Sequence, residues 1–133
     1  MIRIPQTIHG DMISHAKEGF PLEVCGILGG TGETVSVMYR MTNTDASNEH
    51  FMMDPKEQFA AVKDLRAKGL AILAIYHSHP ETPARPSEED IKLALTPDVS
   101  YLIISLADAD NPVINSFKID SGNVEFETIE TIT

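Results

Sequence analysis

The chain has 133 residues, 42% of them hydrophobic and 23% charged, a composition that can build one compact core and excludes a wholly disordered polypeptide. Its 20 acidic residues against 10 basic ones give a formal net charge of -10, and with no segregated basic patch a nucleic-acid partner is not expected. The single cysteine, Cys25, excludes an internal disulfide and Cys-rich zinc modules, so any metal has to be held by histidine and carboxylate.

A single domain spanning 1–133 is expected from this length. The opening MIRIPQTIHGDM lacks a signal peptide's apolar stretch, and no apolar run has the length of a membrane span, so a cytoplasmic location without a membrane partner is expected. Ile8, Met12, Ile13, Ala16 and Phe20 recur at roughly helical spacing, with Gly19 and Pro21 as a stop signal. EVCGILGG and ETVSVMYRM then read as two strands, with Gly29, Gly30 and Gly32 forming the turn between them. HFMMD is expected to add a short strand. Asp54 is placed to cap the next helix, with Pro55 at its first position, Glu57 completing a capping-box-like pattern and Phe59, Val62 and Leu65 as its buried stripe. Gly69 closes that helix.

LAILAIY, residues 70–76, is apolar without alternation, as in a strand covered on both faces, and it runs directly into His77. A short helix from about Ser87 to Leu95 follows. VSYLIISLA, PVINSFKI and NVEFETI then read as three strands. The pattern predicts an α+β protein with a central mixed sheet flanked by helices.

The stretch YHSHPETPARPSEED, residues 76–90, concentrates the chemistry. Side chains two apart on an extended segment share a face, so His77 and His79 point the same way while Ser78 points away. Asp90, on the helix that follows, can fold back as a third ligand, and two imidazoles with one carboxylate form an open tetrahedral site of the zinc type. The same residues also have structural readings. A His-x-His pair near a strand end is more often hydrogen-bonded or solvated than metal-bound. Ser87 is a natural helix N-cap, and Asp90 three residues on can complete a shortened capping box.

The full spacing, His-Ser-His-Pro, six residues, Ser87, two residues and Asp90, resembles the JAMM or MPN-plus zinc metallopeptidase family, with PLEVCGILGG supplying an upstream glutamate, Glu23. The resemblance runs from about residue 7 to 106, and FMMDPKEQFAAVKDLRAKGLAILAIYHSHP looks like the helix and central strand of the family's small prokaryotic members. It implies the MPN fold, related to that of cytidine deaminases. It also implies that His77, His79 and Asp90 bind Zn2+, that Glu23 is the general acid/base, and that Ser87 steadies the oxyanion. The implied function is hydrolysis of a peptide or isopeptide bond at the C-terminal Gly-Gly tail of a ubiquitin-like or sulfur-carrier protein. A non-catalytic MPN interaction module is the alternative, and the complete residue set argues against it. A zinc deaminase is disfavoured by the absence of His-x-Glu and Pro-Cys-x-x-Cys. Cys25 would share Glu23's face on a regular strand and so approach the metal, although a free cysteine is more often a small buried apolar group. His9, His15 and His50 are expected in surface or hydrogen-bonded roles, and Met12, Met38, Met41, Met52 and Met53 in core gaps.

Overall fold

The computed structural model describes residues 1–133. Its elements in chain order are β1 (Ile2–Pro5), α1 (Gln6–Gly19), β2 (Cys25–Thr31), β3 (Thr34–Met41), α2 (Pro55–Ala67), β4 (Ala71–His79), α3 (Glu88–Leu93), β5 (Ser100–Ser105), β6 (Val113–Asp120), β7 (Asn123–Glu127) and β8 (Ile129–Ile132). All eight strands join one mixed sheet in the order β7-β6-β5-β4-β2-β3-β1-β8. The expected α+β architecture with a central mixed sheet is therefore present. Only Thr128 separates β7 from β8, although the two occupy opposite ends of the strand order. The sheet must curl until its ends meet, and Thr128 accepts a hydrogen bond from the Ile2 amide at 3.0 Å where they do.

The two faces of the sheet carry different cores. On one face α1 presents Ile8, Met12 and Ala16 to Ile4, Leu28, Val35, Tyr76, Leu102 and Ile104. On the other, α2 presents Ala61 and Leu65 to Cys25, Ile27 and Met41, and a third cluster around Tyr101, Ile103 and Phe117 lies toward α3. Burying each large apolar side chain contributes roughly 1.5–3 kcal/mol, so these clusters hold the helices in place. β4 lies between β2 and β5 and alternates between the faces, sending Ala74, Tyr76 and Ser78 one way and Ile75, His77 and His79 the other.

Several sequence expectations change. Phe20 and Phe59 are exposed, because α1 ends before Phe20 and the buried face of α2 passes through Ala61 and Leu65. Asp54 caps α2 as expected by accepting from the Lys56 amide, but Glu57 bonds the amide and hydroxyl of Thr42 rather than closing a capping box. It thereby ties α2 to the end of β3. HFMMD forms only an isolated bridge, Asn43 with Met53. Met52 is exposed, whereas Met12, Met41 and Met53 are buried. NVEFETI holds β7 and only the first residue of β8, and β1 and β8 had no counterpart in the sequence reading.

Gly29 and Gly30 lie within β2 and do not form the turn. A Cβ at Gly29 would come within 2.2 Å of Leu65 Cδ2, and one at Gly30 within 2.0 Å of the Thr34 carbonyl oxygen. They allow close approach at a bulge, while the turn uses Gly32 at φ +63°.

Candidate metal centre

The last residues of β4 bring two imidazoles together, and the N-terminus of α3 brings a carboxylate to them. His77 Nε2 and His79 Nε2 are 3.1 Å apart. Asp90 Oδ2 lies 3.2 Å from the first and 3.0 Å from the second. The expected trio is thus assembled, and its three donor atoms form a nearly equilateral triangle. Ligand bonds of roughly 2.0–2.1 Å at tetrahedral angles separate two donor atoms by about 3.3 Å, so this triangle is close to one face of a zinc-sized tetrahedron.

The orientation of His79 supports the same use. Its Nδ1 sits 2.9 Å from the Pro83 carbonyl oxygen, an acceptor, so Nδ1 carries the hydrogen and the Nε2 lone pair of the neutral ring faces Asp90. Two acceptors 3.0 Å apart require a cation or a proton between them. The residues present therefore fit a divalent metal.

The loop that carries Pro83 is held at three consecutive carbonyls. Ser105 Oγ donates to Thr82 at 2.6 Å, His79 donates to Pro83, and Asn115 Nδ2 donates to Ala84 at 3.1 Å. Strands β5, β4 and β6 thus fix the segment between the histidines and α3. His77 is stacked on Phe51, with ring centroids 4.6 Å apart and planes at 24°.

Electrostatics follow from burial and from Asp90. Burial lowers the His77 pKa and outweighs the carboxylate, keeping the ring in the neutral form that binds metals. For His79 burial acts in the same direction, but Asp90, the Pro83 carbonyl and Glu23 outweigh it and the pKa rises. Burial would raise Asp90, yet the closeness of the His77 and His79 imidazoles and the hydrogen bond from the Ser87 amide hold it well below the usual carboxylate range.

Glu23 precedes β2, is 4% exposed, and has a buried Oε1 with no hydrogen-bond partner. Burial pushes its pKa up to about 7, with Asp90 and Glu89 adding to the rise and His79 and His50 opposing it. A carboxyl poised near neutrality beside a metal-capable trio suits proton transfer in both directions.

Ser87 realises its structural reading. It caps α3, its Oγ accepting from the Asp90 amide at 3.0 Å while Asp90 Oδ2 accepts from the Ser87 amide at 3.0 Å. The hydroxyl oxygen is the acceptor in that contact, which leaves the hydroxyl hydrogen available. The capping box also fixes the Asp90 oxygen that faces both imidazoles. Cys25 pairs with His77 across the β2/β4 ladder, but it is fully buried in an apolar cluster and is not part of the donor group. Burial pushes its thiol up to about 12, as expected of a small apolar residue.

Beside the trio opens a small cleft walled by His50, Phe51, Pro86, Leu93, Tyr101 and Ile119. His50 pairs with Asp45 at 3.0 Å. The sequence reading did not connect Phe51 or the Asn43–Met53 segment with the site. EHFMMD carries no spacing signal, and its place beside β4 comes from long-range contacts.

Residues 5–120 match the family described as prokaryotic homologs of the JAB domain. The chain belongs to this family. It is 32% identical over 123 residues to the CysO-cysteine peptidase of Mycobacterium tuberculosis, covering 91% of this chain and 84% of the relative. It is 35% identical over 101 residues to a desampylase of Haloferax volcanii, covering 71% of this chain and 73% of that one. Its fold is also similar to the solution structure of a protein from Desulfitobacterium hafniense. The TM-score is 0.90 and the identity 47%, with 99% and 93% of the two chains covered. The JAMM resemblance read from His77 to Asp90 thus agrees with the family assignment. No helix is long and apolar enough to cross a membrane.

Proposed function

We propose that this prokaryotic JAB protein is a zinc-dependent peptidase or isopeptidase. It hydrolyses the amide bond that follows the Gly-Gly tail of a ubiquitin-like or sulfur-carrier protein. The observation that carries the reading is the triangle of His77, His79 and Asp90 donor atoms, 3.0 to 3.2 Å on a side, with the unpartnered carboxyl of Glu23 buried nearby. His77, His79 and Asp90 hold the metal in this reading, and an open set of two imidazoles and one carboxylate at this spacing suits zinc. Zinc bound there supplies Lewis acidity, which makes water a competent nucleophile near neutral pH.

The protein's own groups do the rest. Glu23 takes a proton from the attacking water and returns it to the leaving amine, as one positioned carboxylate can do in both directions. Ser87 donates its free hydroxyl hydrogen to the developing oxyanion. The Pro83 carbonyl keeps the His79 ring in the required tautomer. Glycine at the scissile position lets the substrate backbone approach closely, which favours a Gly-Gly tail. The names of the two curated relatives, a CysO-cysteine peptidase and a desampylase, support a peptidase reading and a protein-tail substrate.

The test is to incubate the zinc-loaded protein with a sulfur-carrier protein extended beyond Gly-Gly and to follow the released fragment by mass spectrometry. Cleavage immediately after Gly-Gly is expected. Equal cleavage when bulky residues replace the glycines would refute the tail specificity, and a zinc-loaded protein that cleaves no tail would favour a non-catalytic module.

A further inference from the structure

Glu23 stands two residues before β2 begins at Cys25. Its main-chain groups are held by the segment between β3 and α2: the Glu23 amide donates to the Ser47 carbonyl at 2.8 Å, and the Glu23 carbonyl accepts from Asn43 Nδ2 at 3.0 Å. Its side chain has a buried oxygen with no partner. Where the carboxyl sits is therefore decided by the segment that grips its backbone.

Asn43 organises that segment. Its Nδ2 also donates to the His50 carbonyl at 3.1 Å, and its Oδ1 accepts from the amides of Asp45 at 3.1 Å and Met52 at 3.0 Å. These four bonds use the whole capacity of a carboxamide, two hydrogens and two lone pairs. Aspartate has no hydrogens to donate, and serine or threonine cannot span four partners. The same contacts set the path of His50 and Met52 on either side of Phe51, the residue stacked on His77.

We infer that Asn43 is a positioning residue for the hydrolytic reaction, clamping the Asn43–Met53 segment onto Glu23 so that its carboxyl stays aligned with the trio. The inference rests on the proposed function for its effect on turnover. It rests on geometry alone for its effect on Glu23. A misplacement of about 1 Å can lower a rate on the order of 10²-fold, and that is the loss expected here. The trio itself comes from β4 and α3, so metal affinity should change little.

The experiment compares Asn43→Ala, Asn43→Asp and Thr44→Ala in the full zinc-loaded chain. Asn43→Asp keeps the acceptor for the Asp45 and Met52 amides and replaces the two donations with a carboxylate oxygen set against the Glu23 and His50 carbonyls. Thr44→Ala removes a neighbouring bond in the same segment, Thr44 Oγ1 to the Met52 carbonyl, without touching Glu23. Both Asn43 variants should lower kcat about 10²-fold on the extended carrier protein, with KM and zinc affinity within about threefold of the parent. Thr44→Ala should stay within about threefold in kcat. Amide hydrogen exchange needs no substrate. At Glu23 it should rise at least about tenfold in both Asn43 variants while His77 to His79 stay protected. Parental exchange at Glu23 in both variants would overturn the clamp, even if the parent protein cleaved no tail. Thr44→Ala losing as much turnover as Asn43→Ala would reduce Asn43 to a general support of the segment and overturn the positioning role. Failure of the parent to hydrolyse anything, with exchange at Glu23 raised as expected, would instead overturn the proposed function.

Discussion

Replacing Glu23 with glutamine should abolish most hydrolysis and, in the metal-free protein, should increase stability at alkaline pH. Glu23 is nearly inaccessible, one of its oxygens has no partner, and burial raises its carboxyl from an ordinary 4.5 to about 7. At 1.36 kcal/mol per pH unit that interval corresponds to an upper bound of about 3.4 kcal/mol, and because the unfolded carboxyl is already partly titrated at pH 5 the expected effect between pH 5 and pH 8 is ~2 kcal/mol. The folded pKa is raised, so Glu23's contribution is fully present below about 4.5 and is lost as pH rises through about 7. Glutamine has the same shape and does not titrate. Urea unfolding in the presence of a chelator would measure the stability difference between Glu23→Gln and parent at pH 5 and at pH 8. The variant should gain ~2 kcal/mol on the parent between the two conditions. A difference that did not change with pH would refute the reasoning, because it would mean that the carboxyl is as well solvated in the folded protein as in the unfolded chain. The gain would also identify Glu23 as a residue kept for chemistry at the expense of stability.

Asp90→Ala should lower zinc affinity by at least about 100-fold in a competition titration, since an open three-ligand site has no spare protein donor, and most of the fold should remain by circular dichroism. Ser87→Ala should lose ~1 kcal/mol from the missing cap and in addition lower kcat on the order of 10²-fold, whereas a serine that only caps would show the first effect in urea unfolding without the second. Gly26→Ala should destabilise by about 1–3 kcal/mol in thermal or urea melts, because the added Cβ would lie 2.2 Å from Tyr76 Cε2 in a fully buried ring. His15 bonds the Tyr76 hydroxyl at 2.7 Å, and burial lowers its pKa to about 4. That depressed pKa costs stability as pH falls from about 6.5 toward 4, so His15→Gln should flatten the loss seen in acid unfolding curves over this window.

What could be read from the sequence was chemistry carried by short spacings. His77 and His79 share a face because strand side chains alternate with period two, and Ser87 and Asp90 meet because residues three apart adjoin in the first helical turn. The unbroken lead from residues 70–76 into His77 identified the central strand, since a strand covered on both faces needs apolar residues on both. The family spacing then carried Glu23. Tertiary structure decided what depends on distant segments meeting. The main chain of Glu23 is held by hydrogen bonds to Ser47 and Asn43, and nothing local to PLEVCGILGG encodes that. Phe51 meets His77 across 26 residues of chain, and Asn43 finds all four of its partners only when the Asn43–Met53 segment has closed. Phe59 satisfies a helical stripe yet lies exposed because sheet and helix meet along Ala61 and Leu65. Gly29 and Gly30 resembled turn residues until Leu65 and Thr34 came to occupy the space that their side chains would have filled. Strands β1 and β8 escaped notice because four-residue strands carry too little periodicity, and it is their pairing with each other that brings the two ends of the sheet together. Periodicity reports which way a side chain points along its own element; which group it meets there depends on packing between elements far apart in the chain.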